Sequence, residues 1–262
     1  MLRAFEHSQV YHPSREVDYP PEEVGHPWED VWLSTAEGIR LHGWFFKAAE
    51  TSARRRLAVL FCHGNGGNIS SRPGYYRELM RTGVNLLTFD YRGYGRSEGR
   101  VSEDGTYTDA MTALAWLQSR GFPPSHVVAW GESLGGGIAS EVARRAPVAG
   151  LALQSSFTSI PDLGAELFPW LPVRWIGRIR YDTINRLPRL SCPVLVMHSR
   201  ADEIIPFHHG ERNFAAAREP KLFCEIGGTH VGALEADRAK FSDACQRFME
   251  LVEARAQANP AA

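Results

Sequence analysis

The chain has 262 residues, of which 23% are charged, and its formal net charge is −1 at pH 7. This length suits one large α/β domain with a substantial core, and the near-zero charge gives no electrostatic basis for binding nucleic acid. The four cysteines have neither metal-site nor C-x-x-C spacing, so we expect free thiols in a cytoplasmic protein with no metal and no cofactor.

The first 27 residues are polar and carry several prolines, which predicts an arm with little regular structure. They contain no charged start followed by an apolar stretch, and the whole chain has no apolar run of about 18 residues. We therefore expect neither a signal peptide nor a membrane-spanning helix.

Two strands open the predicted domain, which covers residues 28–255. Apolar residues at 31–33 and 41–46 flank a turn at 36–38, so these two segments should pair antiparallel.

Beyond residue 46, apolar strand runs alternate with helical patterns, including 104–120 and 241–254. This alternation predicts an α/β fold in which a mostly parallel central sheet carries helices on both faces. Residues 256–262 are expected to fray.

A glycine-rich loop at residues 63–68 follows the apolar run 57–62. A phosphate-binding loop is the weaker interpretation, because no G-K-[ST] or G-x-G-x-x-G pattern follows in the expected context. Backbone N–H groups of such a loop can also stabilise a developing oxyanion, and we expect the Asn65 N–H to do so. His63 should shape the loop.

A serine flanked by glycines lies where the apolar run 127–130 gives way to a helical pattern. In Gly131-Glu132-Ser133-Leu134-Gly135, the glycines permit the sharp strand-to-helix turn of a nucleophile elbow. The turn exposes the Ser133 hydroxyl and leaves the Leu134 N–H at a helix N-terminus, where negative charge is favoured. This arrangement is typical of acyl-cleaving enzymes.

The base and the orienting acid that such a serine needs are found further along the chain. Asp202 comes shortly after the apolar run 194–197, and His230 follows the strand pattern 221–226 through a glycine turn. Because strand ends share one edge of an open α/β sheet, we expect Ser133, His230 and Asp202 to meet there.

Other residues compete for these roles. Asp90 also ends an apolar run, but we expect it to pair locally with Arg92 or with backbone N–H groups of its turn. Asp202 is preferred to Glu203 because it comes first after the strand. His198 is the weaker candidate base, since a histidine at that place is more often a hydrogen-bonded strand-end residue.

The chain resembles the BEM46-like, ABHD13- and ABHD17-type group of α/β-hydrolase serine enzymes. The resemblance rests on several motifs in order, which together span most of residues 28–250. They are found at 61–68, 89–99, 131–136, 157–162, 192–198 and 202–206. Two positions depart from the family pattern, namely Ser199, where many relatives have glycine, and the loose turn 227–230.

The resemblance implies an α/β-hydrolase fold and a Ser133, Asp202, His230 triad that hydrolyses a small-molecule ester or thioester. His230 would take the serine proton while Asp202 fixes its tautomer, and the Leu134 and Asn65 N–H groups would hold the oxyanion. A peptidase or an acyltransferase on the same fold is an alternative, as is a non-catalytic protein that binds a ligand in the hydrolase pocket.

A short cap segment, about 155–190, lies between two predicted strands and mixes aromatic residues with arginines. We predict that Phe157, Trp170 and Trp175 line an acyl pocket. The alternative is that the tryptophans pack on the sheet while the arginines face water. Contact with an anionic membrane is the weaker expectation, because Pro169 and Pro172 interrupt any long amphipathic helix.

Overall fold

The structure is a computed structural model that describes residues 2–258. The strands are β1 (His12–Pro13), β2 (Trp28–Ser34), β3 (Arg40–Phe46), β4 (Ala58–Cys62), β5 (Gly66–Gly67), β6 (Asn85–Phe89), β7 (Val127–Glu132), β8 (Gly150–Gln154), β9 (Val194–Ser199) and β10 (Lys221–Ile226). The α-helices are α1 (Leu2–Val10), α2 (Pro73–Met80), α3 (Glu103–Ser119), α4 (Leu134–Arg145), α5 (Ile160–Leu167), α6 (Val173–Ile176), α7 (His208–Ala216), α8 (Ala233–Ala236) and α9 (Arg238–Ala258).

Eight of these strands form one sheet in the order β10-β9-β8-β7-β4-β6-β3-β2. Neighbours from β10 to β6 are parallel, whereas β3 runs antiparallel to both β6 and β2. The register pairs Cys62 with Gly131 and Ile226 with Ser199, so the carboxyl ends of the parallel strands share one edge. The predicted α/β fold, with its antiparallel start, is confirmed.

Both faces of the sheet are buried under helices, as a parallel sheet requires. Side chains alternate along each strand, so in β4 Leu60 belongs to one apolar cluster while Phe61 belongs to the other. The first cluster includes Ile138 of α4, and the second includes Phe248 of α9. The sheet is thereby held between two apolar layers, which makes its carboxyl edge a rigid platform.

The prediction of little regular structure before residue 28 is wrong. Residues Leu2–Val10 form α1, and a 3₁₀ helix covers Pro21–Val24. Long-range contacts stabilise α1, because the Glu6 carboxylate accepts hydrogen bonds from the backbone N–H groups of Arg178 (2.7 Å) and Ile179 (2.9 Å). Such tertiary contacts, more than local propensity, determine whether a short helix forms.

Helix α9 extends to Ala258, three residues into the tail that was predicted at 256–262. The rest of that predicted tail, 259–262, lies outside the described residues. Among the helices of residues 2–258, none has the length and apolar composition that crossing a bilayer requires.

Candidate active site

Ser133 lies in a strained turn between β7 and α4. Its backbone has φ 52° and ψ −116°, a conformation that costs about 1–3 kcal/mol and persists only where the surroundings enforce it. The flanking glycines are required, because a Cβ on Gly135 would overlap the Cys62 carbonyl oxygen and one on Gly131 would overlap the Gly135 backbone. Close packing of α4 against β4 therefore fixes the position of the serine hydroxyl.

Three polar side chains from separate strand ends meet at this edge. The Ser133 Oγ is 3.0 Å from Nε2 of His230, and Nδ1 of the same ring is 2.8 Å from Oδ2 of Asp202. The second Asp202 oxygen accepts the backbone N–H groups of Ile204 (3.0 Å) and Ile205 (2.8 Å). The carboxylate is thus held by backbone donors in a fixed orientation toward the imidazole.

The competing residues have other partners. Asp90 accepts the Ile69 N–H at 2.9 Å and lies 3.6 Å from His63, in a buried site apart from His230. His198 is fully buried, and its Nε2 lies 2.8 Å from the Ile205 carbonyl oxygen. Glu203 accepts the backbone N–H of His230 at 3.0 Å. Within the described residues it forms no hydrogen bond with the His230 ring.

Two residues whose backbone N–H groups are free line the same cavity as Ser133. Asn65 and Leu134 both line that cavity, and within residues 2–258 neither backbone N–H donates a hydrogen bond. The Asn65 peptide is held in place, since its carbonyl oxygen accepts the His12 N–H (3.0 Å) and the Tyr94 hydroxyl (2.9 Å). A preorganised pair of free donors beside a hydroxyl is what a developing oxyanion requires.

Similarity to known proteins agrees with this geometry. Residues 58–187 match the family model described as alpha/beta hydrolase fold. The alpha/beta hydrolase domain-containing protein WAV2 of Arabidopsis thaliana is 32% identical over 257 residues, which cover 88% of this chain and 83% of that protein. The chain belongs to the alpha/beta hydrolase fold family.

Other similarities extend over most of the hydrolase. An uncharacterized protein of Mycobacterium tuberculosis is 40% identical over 222 residues, covering 84% of this chain and 78% of that protein. A solved esterase from Pyrococcus furiosus superposes with a TM-score of 0.72 at 18% identity, covering 92% of this chain and 97% of that one. At that identity the structural match establishes a shared fold.

A buried ion pair supports the glycine-rich loop of the hydrolase. Arg72 is paired with Glu132, and its guanidinium also donates to the carbonyl oxygens of Asn68 (3.0 Å) and Gly66 (2.9 Å). Glu132 in turn accepts the Gly64 N–H at 3.1 Å. The pair thereby joins the turn that carries Ser133 to the loop that carries Asn65, a link that no local sequence pattern indicates.

Removing one member of this pair should impair both stability and turnover. We expect Arg72→Met to lower the free energy of unfolding by about 3–5 kcal/mol, because Glu132 is left charged and buried without its partner. The loop should also shift, so kcat should fall more than KM rises. Urea denaturation and steady-state kinetics test this, with the double variant Arg72→Met/Glu132→Gln expected to regain part of the lost stability. Unchanged stability in Arg72→Met would contradict the proposed role.

The ionisation of His230 and Asp202 is coupled through their hydrogen bond. Burial favours the neutral imidazole, but the hydrogen bond and charge of Asp202, with Glu132 and Glu203, outweigh it and raise the pKa of His230. Burial likewise disfavours the Asp202 carboxylate, yet its hydrogen bonds with His230 and the Ile205 N–H lower its pKa. Both shifts stabilise an imidazolium next to a carboxylate.

This coupling predicts a pH dependence. A general base must be neutral, so kcat/KM should rise with pH through the raised pKa of His230, with a midpoint above the ordinary value of 6.5. Activity is lost below that midpoint, where the ring is protonated. A pH–rate profile of the free enzyme provides the measurement. An acid limb well below 6.5, or a flat profile, would remove His230 as the kinetically visible base.

The departure at Ser199 has a structural explanation. Its hydroxyl donates to the Gly228 carbonyl oxygen and accepts the Ala201 N–H at 3.1 Å. Gly228 has φ +85° and belongs to the turn that delivers His230. The serine therefore ties the end of β9 to the histidine loop and compensates for the looseness of that turn.

Two cavities meet at Ser133. One, of about 410 Å³, is mostly apolar; the other, of about 540 Å³, is more polar. Both are lined by Asn65, Ser133, Ile204 and His230. The apolar cavity is further lined by Phe5, Leu134, Phe157, Leu163, Leu167, Phe168 and Ile176, and the polar one by Tyr19, Arg72, Arg77, Glu132 and Glu235.

The three predicted pocket residues have different positions. Phe157 is buried and lines the apolar cavity, as predicted. Trp170 and Trp175 do not line it and are 74% and 89% exposed, so the prediction that they line the pocket is wrong. Neither tryptophan packs on the sheet. The prolines break the cap into the short helices α5 and α6, and the tryptophans project from the segments between and within them.

One group of potential metal ligands occurs among the described residues, formed by Glu166, His208 and His209. His209 accepts the Thr158 N–H at Nδ1 (3.1 Å), which leaves the proton of the neutral ring on Nε2. That Nε2 is 3.5 Å from the Glu166 carboxylate. A protonated Nε2 has no lone pair to offer a metal.

Proposed function

We propose that this hydrolase cleaves carboxylic esters or thioesters through an acyl-enzyme on Ser133. The observation that carries the proposal is the continuous chain from the Ser133 hydroxyl to the His230 imidazole (3.0 Å) and the Asp202 carboxylate (2.8 Å). Two free backbone donors beside that hydroxyl support it.

In the proposed reaction, Ser133 Oγ attacks the acyl carbonyl while Nε2 of His230 takes its proton. Asp202 accepts a hydrogen bond from Nδ1–H of His230, which leaves Nε2 free to accept the serine proton. The Asp202 charge then stabilises the imidazolium that forms. The Asn65 and Leu134 N–H groups hold the oxyanion. The imidazolium then protonates the leaving alcohol or thiol, and a water activated by the neutral ring releases the acid.

The apolar cavity is proposed to hold the acyl chain. Leu163 is buried in its wall, and truncating it enlarges the space available next to Phe157. We expect Leu163→Ala to shift the preference toward longer acyl esters by about 1–3 kcal/mol in relative kcat/KM. The exposed Trp175→Ala is the matched control and should leave the preference unchanged. A chain-length series of p-nitrophenyl esters provides the measurement, and an unaltered preference in Leu163→Ala would contradict the assignment of the cavity.

Labelling with a fluorophosphonate probe tests the proposed nucleophile directly. Wild-type protein should be labelled and Ser133→Ala should not. A panel of p-nitrophenyl esters, acyl thioesters and aminoacyl amides then separates esterase, thioesterase and peptidase activity. Absence of labelling in folded wild-type protein would contradict an activated serine and favour a ligand-binding role for the pocket.

A further inference from the structure

Large apolar side chains are exposed together at the mouth of the apolar cavity. We call this surface the cap rim; it consists of Phe5, Leu167, Trp170, Trp175 and Ile176. Trp170 and Trp175 have 74% and 89% of their surface exposed, and the other three are between 37% and 49% exposed. Single exposed apolar residues are ordinary on a protein surface, but a grouped set that includes two tryptophans marks an interaction site.

The cap rim is continuous with the apolar cavity. Phe5, Leu167 and Ile176 line that cavity as well as facing solvent. Trp170 packs edge-on against Phe168, another cavity residue, with ring centroids 5.9 Å apart, and Phe168 in turn contacts Phe5 at 6.2 Å. An apolar path therefore leads from the outer surface of the cap to the cavity beside Ser133.

Cationic side chains alternate along the chain with part of this apolar surface. Arg174, Arg178 and Arg180 are exposed on the same segment as Trp175. Arg174 pairs with Asp162 at 3.2 Å, whereas Arg178 and Arg180 form no ion pair within residues 2–258. The guanidinium groups of Arg178 and Arg180 can therefore pair with an external anionic group.

The neighbouring carboxylates are hydrogen-bonded to other groups. Glu6 accepts the backbone N–H groups of Arg178 and Ile179, Glu103 accepts those of Arg180 (2.6 Å) and Tyr181 (2.7 Å), and Glu166 is bonded to His208 at 3.0 Å. Asp162 is shared between Arg174 and Arg212.

Tryptophan and arginine together suit the boundary between lipid head groups and acyl chains. An indole ring prefers that boundary because it is apolar with one polar edge, and arginine attracts anionic head groups. We propose that the cap rim docks on an anionic lipid bilayer, so that the apolar cavity opens toward the membrane. Docking is independent of catalysis; only the delivery of a lipid ester to Ser133 rests on the proposed function.

Vesicle sedimentation with the full chain carrying Ser133→Ala tests docking without turnover. The vesicles contain either phosphatidylcholine alone or equal parts of phosphatidylcholine and phosphatidylglycerol, at low ionic strength. We expect binding to the anionic vesicles, with a partition coefficient reduced about tenfold or more in Trp170→Gln/Trp175→Gln. Arg178→Gln and Arg180→Gln should each reduce it about fivefold.

Control variants lie elsewhere on the surface. Trp32→Gln on β2 and Arg247→Gln on α9 remove an exposed tryptophan and an exposed arginine and should leave partitioning unchanged. Failure of the anionic vesicles to bind the protein, equal binding of both vesicle types, or full binding by the double tryptophan variant would each overturn the proposal. So would concentration-dependent dimerisation that is abolished by the same tryptophan substitutions, because a second copy would then cover the cap rim.

Discussion

Replacing Ser133 by alanine is expected to lower kcat about 10⁴- to 10⁶-fold, the loss measured when the nucleophile of such a triad is removed. The attacking oxygen is absent in the variant, so no acyl-enzyme can form. The free backbone donors at Asn65 and Leu134 are retained and would still stabilise a tetrahedral oxyanion. Steady-state hydrolysis of a p-nitrophenyl ester provides the measurement.

The control is the fold of the variant. Alanine fits the elbow without an added steric demand, so near-UV circular dichroism and Tm should match those of the wild type. Hydrolysis that persists near the wild-type rate in a protein with an unchanged spectrum would transfer the nucleophilic role to another group. An altered spectrum would instead mean that the substitution disturbs the strained turn at Ser133 and that the loss of kcat has a structural cause.

The substitution Asp202→Asn is expected to lower kcat about 10⁴-fold. The carboxylate accepts a hydrogen bond from Nδ1 of His230, whereas an asparagine amide facing the same atom can donate one. A donated hydrogen bond would place the imidazole proton on Nε2, where it faces the Ser133 hydroxyl and blocks proton transfer. The raised pKa of His230 should also fall, moving the acid limb of the pH–rate profile to lower pH.

Glu203→Gln is the matched control for this substitution. Within residues 2–258 the adjacent carboxylate bonds only the backbone N–H of His230, and a glutamine carbonyl oxygen can accept the same hydrogen bond. Glu203→Gln should therefore lower kcat by less than about tenfold. Equal losses in the two variants would mean that both acids position the histidine loop and that neither determines the tautomer.

The sequence predicted the relative placement of the central residues because strand ends are encoded locally. Apolar runs before Ser133, Asp202 and His230 indicate buried strands, and parallel connectivity brings their carboxyl ends to one edge. The α/β fold could be inferred from the same runs. The position of Asn65 followed in the same way from the strand that precedes its loop.

Features that depend on distant partners could not be predicted. The interaction between Arg72 and Glu132 joins residues 60 positions apart, and α1 is held by the cap through Glu6. The predicted pocket positions of the two cap tryptophans were wrong because an aromatic side chain is buried only where the fold provides a groove for it. Prolines at 169 and 172 divide the cap into helices too short to carry Trp170 and Trp175 inward.

In the proposed reaction, the meeting of an apolar and a polar cavity at Ser133 would determine which second reactant reaches the acyl-enzyme. With the acyl chain on the apolar side, the departing alcohol and the incoming nucleophile would share the polar side, lined by Arg77, Glu235 and Tyr19. An alcohol that binds there would compete with water for the ester carbonyl. The ratio of hydrolysis to transesterification would therefore depend on how well the polar cavity retains an acceptor alcohol, independently of the acyl chain.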